Sequence, residues 1–164
     1  MLLLLDLDGT IRAPKSGADF MSDPLDQELI PGALESMRDY FALGWKICGI
    51  SNQAGVDAGH KSINDCIAEQ RYTLELSGSY MCIIYFCPDF EGKTCWRIAR
   101  GFDDKYDSAD FRKPGAGMLR TALQDFAIDA LDALYVGDRP EDELAAANAG
   151  IRFLWAHMWR RPTI

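Results

Sequence analysis

Short apolar runs alternate with helix-patterned segments along the chain, and each run closes on a polar cluster. Residues 2–7 form the first run, ending at Asp6-Leu7-Asp8-Gly9-Thr10. Residues 45–50 precede Ser51-Asn52-Gln53, residues 81–86 precede Cys87-Pro88, and residues 134–137 precede Asp138-Arg139-Pro140. A short fifth run spans 151–155. Helical spacing appears over 31–43 (Leu34, Met37, Phe41), 61–76 (Ile63, Ile67, Leu74), 114–126 (Met118, Leu119, Leu123, Phe126) and 140–149. Strands buried on both faces, each followed by a helix, predict an α/β fold with a parallel sheet and right-handed crossovers. In such sheets ligands bind beyond the carboxyl ends of the strands, where these polar clusters fall.

The chain has 164 residues, which suits one domain, 1–164. Two segments break the alternation: a polar flap at about 12–30 and an insertion at about 87–112 with little periodicity. With 25 acidic against 17 basic residues, the net charge is −8, which argues against broad non-specific duplex binding. Five irregularly spaced cysteines do not make a disulfide framework. The apolar start is too short for a secretory leader, and no run approaches membrane-spanning length. A cytoplasmic protein without a membrane partner is expected.

Asp6 and Asp8 are the sharpest chemical signal. In a strand, residues i and i+2 point the same way, so two carboxylates would crowd one strand tip. A hard cation such as Mg²⁺ relieves that crowding, and Asp138 at another strand end would complete the site. One carboxylate can attack phosphorus while another trades protons with the leaving alcohol and then with water. Lys113, before a helix, would neutralise charge on the transferring group, and Ser51 and Asn52 would hold phosphate oxygens.

Four motifs in this order resemble the haloacid dehalogenase (HAD) phosphatase superfamily: Asp6-Leu7-Asp8-Gly9-Thr10, Ile50-Ser51-Asn52-Gln53, Arg112-Lys113-Pro114 and Val136-Gly137-Asp138-Arg139-Pro140-Glu141-Asp142. The resemblance implies a Rossmann-like three-layer fold with a minimal cap. It implies a Mg²⁺-dependent phosphomonoester hydrolase working through an aspartyl-phosphate. Asp6 would be nucleophile and metal ligand. Asp8 would be the general acid/base, its backbone carbonyl on the metal. Thr10 and Ser51 would contact the phosphoryl group or support the loop that does, Lys113 would hold the phosphoryl group and the nucleophile, Asp138 would bind Mg²⁺ and Asp142 would support it. Arg112 would read substrate beyond the phosphate.

The Ser-Asn-Gln and Arg-Lys-Pro variants are similar to a narrower group of heptose-bisphosphate and histidinol-phosphate phosphatases and the phosphatase domain of polynucleotide kinase-phosphatases. A phosphorylated small molecule or a nucleic-acid 3′ end is therefore the expected substrate. Members acting on small metabolites often carry a zinc loop. Here Asp89 stands where a ligand His would be, and Ala109-Asp110-Phe111 just before Arg112 contain no cysteines, so structural Zn²⁺ is not expected. Lys93, Trp96, Arg97, Arg100 and Phe102 in the insertion offer a possible nucleic-acid grip, which keeps a polynucleotide 3′-phosphatase as one alternative. A non-enzymatic phosphoryl-accepting signalling module is the other.

Overall fold

The computed structural model describes residues 1–160; the last four positions of the expected 1–164 domain lie outside the described residues. The elements run β1 (Leu2–Asp6), β2 (Arg12–Ala13), β3 (Glu28–Leu29), α1 (Ala33–Ala42), β4 (Lys46–Asn52), α2 (Ile63–Leu76), β5 (Ile83–Cys87), β6 (Thr94–Ala99), β7 (Phe102–Asp107), α3 (Gly117–Phe126), a 3-10 turn (Ala130–Asp132), β8 (Ala133–Gly137), α4 (Pro140–Ala149), β9 (Arg152–Trp155) and α5 (Ala156–Trp159).

Strand β1 is Leu-Leu-Leu-Leu-Asp and wholly buried. Its alternating side chains feed two cores. Leu2 and Leu4 pack with Met118, Leu119 and Ala122 of α3 and Ala145 and Ala146 of α4. Leu3 and Leu5 pack with Met37 of α1, Cys66 and Leu74 of α2 and Trp159 of α5. Each such leucine contributes roughly 1.5–3 kcal/mol of burial, so β1 is the axis on which both helix layers close. The result is the expected three-layer α/β arrangement, with strand order β7-β6-β5-β4-β1-β8-β9.

Five strands, β5-β4-β1-β8-β9, are parallel. They form the expected central parallel sheet. Residues 94–107, read from the sequence as aperiodic insertion, form an antiparallel hairpin that extends the sheet from β5. Strand β7 reads Phe-Asp-Asp-Lys-Tyr-Asp and lies at the sheet edge. Charge on an outer strand hides its periodicity while discouraging edge-to-edge pairing.

Within residues 12–30, where a flap is expected, β2 and β3 pair antiparallel. Two helices, α1 and α3, start further in than their prolines suggested, while α4 begins at Pro140 as expected. Gly32 is left-handed (φ 88°), so α1 begins at Ala33. Asp110 gathers the start of α3, its carbonyl accepting from Gly117 N–H at 2.7 Å and its carboxylate from Ala116 N–H at 3.1 Å. All five cysteines are free. Among the described residues no helix is long and apolar enough to cross a membrane.

Candidate active site

Strand β1 sits between β4 and β8, where successive connections leave in opposite directions. That reversal opens a crevice at the strands' carboxyl ends. A cavity of about 700 Å³ occupies it, lined by Asp6, Asp8, Ser51, Asn52, Arg112, Lys113 and Asp142 among others. The motifs therefore converge from four distant stretches of chain.

Asp6 ends β1 and is nearly buried. Its Oδ1 accepts from Lys113 Nζ at 2.7 Å and its Oδ2 from the Thr10 hydroxyl at 2.8 Å. Lys113 also donates to Asp142 Oδ1 at 2.6 Å and to the Tyr135 hydroxyl at 3.0 Å. Asp142 Oδ2 accepts the backbone N–H groups of Asp138 and Arg139, at 3.2 and 3.1 Å, which ties the start of α4 to the end of β8. Gly9 (φ 83°) lets the loop after β1 press against Asp138; a Cβ there would lie 2.2 Å from Asp138 Oδ2.

Asp6, Asp138 and Asp142 each bring a carboxylate oxygen within 4.8 Å of the others. Asp6 and Asp142 share the Lys113 ammonium, with the Asp138 carboxylate close by. Burial, then the charges of Asp142 and Asp138, push the Asp6 carboxyl up to about 7 against the pull of Lys113. The Lys113 ammonium would be weakened by burial, but Asp6, Tyr135 and Asp142 hold its pKa well above the usual value. An all-oxygen, electron-rich cluster with excess negative charge fits a hard divalent cation.

The Asp8 carboxylate is not part of that cluster. The expectation that Asp6 and Asp8 share one side fails because β1 ends at Asp6. The chain then turns, with Leu7 C=O accepting from the N–H groups of Thr10, Ile11 and Arg12. Asp8 lines the same cavity but is held elsewhere, by Arg12 and by Gln53 Nε2 at 2.9 Å. Burial alone would raise its pKa; Arg12, Lys61 and Gln53 outweigh that and hold it below the usual carboxylate range.

Asn52 lines the cavity. Its side chain pairs with the backbone of Lys113, accepting from N–H at 2.9 Å and donating to C=O at 3.1 Å. It fixes the lysine loop. Ser51 is buried and its hydroxyl accepts from Gln53 at 2.8 Å. Arg112 lies over the Phe90 ring at 5.5 Å, and its buried Nη1 has no hydrogen-bond partner among the described residues.

The proposed basic-aromatic grip is not assembled at the cavity. None of Lys93, Trp96, Arg97, Arg100 and Phe102 lines it. Lys93 pairs with Glu91, Trp96 stacks on Phe86, Arg97 pairs with Asp104 and Asp125, and Arg100 donates to Leu74 and Gly78 carbonyls. Phe102 lies beneath Arg97.

Sequence reasoning missed Arg12, Lys61, Glu69 and Tyr135. Arg12 passed for the polar start of the flap, yet its side chain is wholly buried. One signal was present: Cys66, Glu69, Gln70 and Thr73 recur at helical spacing and form the buried polar stripe of α2. Arg160, also without an assigned role, donates to the Gly9 and Thr10 carbonyls at 3.1 and 2.7 Å.

A family model described as polynucleotide kinase 3 phosphatase matches residues 1–154. The D-glycero-D-manno-heptose-1,7-bisphosphate 7-phosphatase of Thermosynechococcus vestitus is 31% identical over 90% of this chain and 74% of its own length. The D-glycero-alpha-D-manno-heptose-1,7-bisphosphate 7-phosphatase of Campylobacter jejuni is 30% identical over 91% and 77%. A crystal structure of a HAD-like phosphatase from Mesorhizobium loti superposes with a TM-score of 0.74 at 28% identity, covering 91% of this chain and 68% of that one. The D,D-heptose 1,7-bisphosphate phosphatase from B. bronchiseptica, complexed with magnesium and phosphate, shares the fold with a TM-score of 0.72 at 24% identity, covering 93% and 78%. Matched over nearly its whole length, the chain belongs to the polynucleotide kinase 3 phosphatase family and is a phosphatase of the HAD superfamily.

Proposed function

We propose that the protein is a Mg²⁺-dependent phosphomonoesterase for a phosphorylated small molecule, acting through an aspartyl-phosphate on Asp6. The observation that carries this is the Asp6–Lys113–Asp142 cluster with Asp138 beside it, opening into the cavity that also receives Asp8. Mg²⁺, when bound, supplies the charge neutralisation that three carboxylates and an incoming phosphate require; Asp6, Asp138 and the Asp8 backbone carbonyl would hold it, with Asp142 in support.

The remaining chemistry belongs to the chain. Lys113 keeps one Asp6 oxygen in place and neutralises the transferring phosphoryl group. Thr10 orients the other Asp6 oxygen, and the Ser51 hydroxyl contacts the phosphate. An Asp6 oxygen attacks phosphorus, the ester P–O bond breaks, and Asp8, which takes up a proton as the negative phosphate binds beside it, gives that proton to the leaving oxygen. Asp8 then takes a proton from water as that water attacks phosphorus, which releases phosphate and restores Asp6.

Arg112, which lines the cavity, would contact substrate beyond the phosphate. A small substrate is favoured over a polynucleotide end because the insertion's cations are engaged with the protein itself. The heptose-bisphosphate phosphatases among the relatives point the same way. Five free cysteines suit a cytoplasmic setting.

Phosphate release tests this, with Mg²⁺ and with EDTA, from sugar phosphates, histidinol phosphate, nucleotides and 3′-phosphorylated oligonucleotides. Selective Mg²⁺-dependent release from a small phosphate is expected. A preference of orders of magnitude for the oligonucleotide would overturn the substrate reading. Full activity of Asp6→Asn would overturn the mechanism.

A further inference from the structure

Asp8 belongs to a closed ring of side chains. Arg12 Nε donates to Asp8 Oδ1 at 3.0 Å and Arg12 Nη2 to Asp8 Oδ2 at 3.3 Å. The same Nη2 donates to Glu69 Oε1 at 2.8 Å. Lys61 donates to Glu69 Oε2 at 2.7 Å and to Gln53 Oε1 at 3.2 Å. Gln53 Nε2 closes the circuit on Asp8 Oδ2 at 2.9 Å. The remaining guanidinium nitrogen is also occupied, by the Thr73 hydroxyl and by Gln27 of the flap.

Two cations and two carboxylates balance within the ring. Arg12 is wholly buried and does not line the cavity, whereas the Asp8 side chain is 41% exposed and does. Backbone bonds tighten the same turn: Arg12 N–H donates to Leu7 C=O at 3.1 Å and Gly9 N–H to Arg12 C=O at 3.0 Å. Gripping both carboxylate oxygens fixes the plane of the group as well as its place, which a single contact does not.

We propose that Arg12, through the Asp8–Arg12–Glu69–Lys61–Gln53 ring, is a positioning residue that aims the Asp8 carboxyl at the leaving group. It rests on the reading of Asp8 as acid/base given above. Arg12 touches no substrate, so its whole kinetic effect passes through Asp8. Misplacing a proton donor slows departure of a poor leaving group and leaves a good one almost untouched.

The test compares kcat/KM for an alkyl phosphate and for p-nitrophenyl phosphate, whose leaving group departs without a proton. Arg12→Met should lower the alkyl value about 100-fold and the aryl value less than about threefold. Arg12→Lys, which keeps charge but not the fork, should fall between. In an Asp8→Asn background, Arg12→Met should add no further loss on the alkyl substrate. Because truncating a buried ion pair endangers folding, Arg12→Met/Glu69→Gln, which also removes the stranded carboxylate, is measured beside it with its Tm. Equal losses on both substrates, or a further loss in the Asp8→Asn background, would sink the proposal. If Asp8→Asn itself shows no preference between the two substrates, the failure lies with the acid/base role of Asp8 and not with Arg12.

Discussion

Two aspartates two residues apart live in opposite surroundings. Asp6 shares Lys113 with Asp142 and has Asp138 close by, so its side of the cavity carries more negative charge than the chain can balance. Asp8 sits in a ring whose charges cancel. The first region is left wanting a cation; the second is complete as folded. The difference separates a group that must become a nucleophile toward a phosphate from one that must keep its direction while exchanging protons.

Removing the Asp6 carboxylate tests the first side most severely. Asp6→Asn should reduce turnover by about 10⁴-fold or more while the protein still melts cooperatively. Lys113→Met comes next. It strands two carboxylates, so kcat/KM should fall about 10²–10³-fold and stability by about 3 kcal/mol in EDTA. Mg²⁺ should recover part of the lost Tm but not the rate.

Asp138→Asn should act more narrowly. Its expected cost is a rise of about 10–100-fold in the Mg²⁺ concentration for half-maximal rate, with little change in the metal-free melt. A magnesium titration of activity would show it, and an unchanged midpoint would remove Asp138 from the metal site.

The smallest effect is the one that sets the two aspartates most directly against each other, in pH. The Asp6 value is raised by folding, from 3.8 to about 7, so its contribution to stability is complete below about pH 4 and is lost as pH rises toward 7. The Asp8 value is lowered by folding, so its contribution is present above the unfolded value near 4 and is lost at more acid pH. Metal-free wild type should therefore lose Tm between pH 4 and 7 relative to Asp6→Asn. Mg²⁺ should raise Tm more at pH 8 than at pH 5. Parallel Tm profiles for wild type and Asp6→Asn would remove the contrast.

The two regions also differ in how openly the sequence displays them. Asp6, Lys113, Asp138 and Asp142 stand at strand ends, before a helix or in a helix's first turn, in short contiguous motifs, and chain order alone brings them together. Strand β1 was equally plain, because a run of leucines buried on both faces has few other uses. The Asp8 ring was hidden. Its members come from positions 8, 12, 53, 61 and 69, and only the packing of α2 against the flap closes it. The i, i+2 rule misled at Asp8 because it applies only while the strand continues. The β6–β7 hairpin was hidden for a different reason: Arg97, Asp104 and Tyr106 look like solvated loop residues, yet they pair with one another and with Asp125.

The hairpin has two ends with unlike neighbours. The connection from β5 into β6 carries Phe90 to the cavity, while the turn at Arg100 and Gly101 is sent to the far edge of the sheet. A Cβ at Gly101 would meet nothing within 4 Å. That turn is a natural handle: a peptide tag or a surface tether inserted after Gly101, which keeps the glycine that its left-handed backbone (φ 87°) favours, would leave the catalytic face clear and free to meet its substrate.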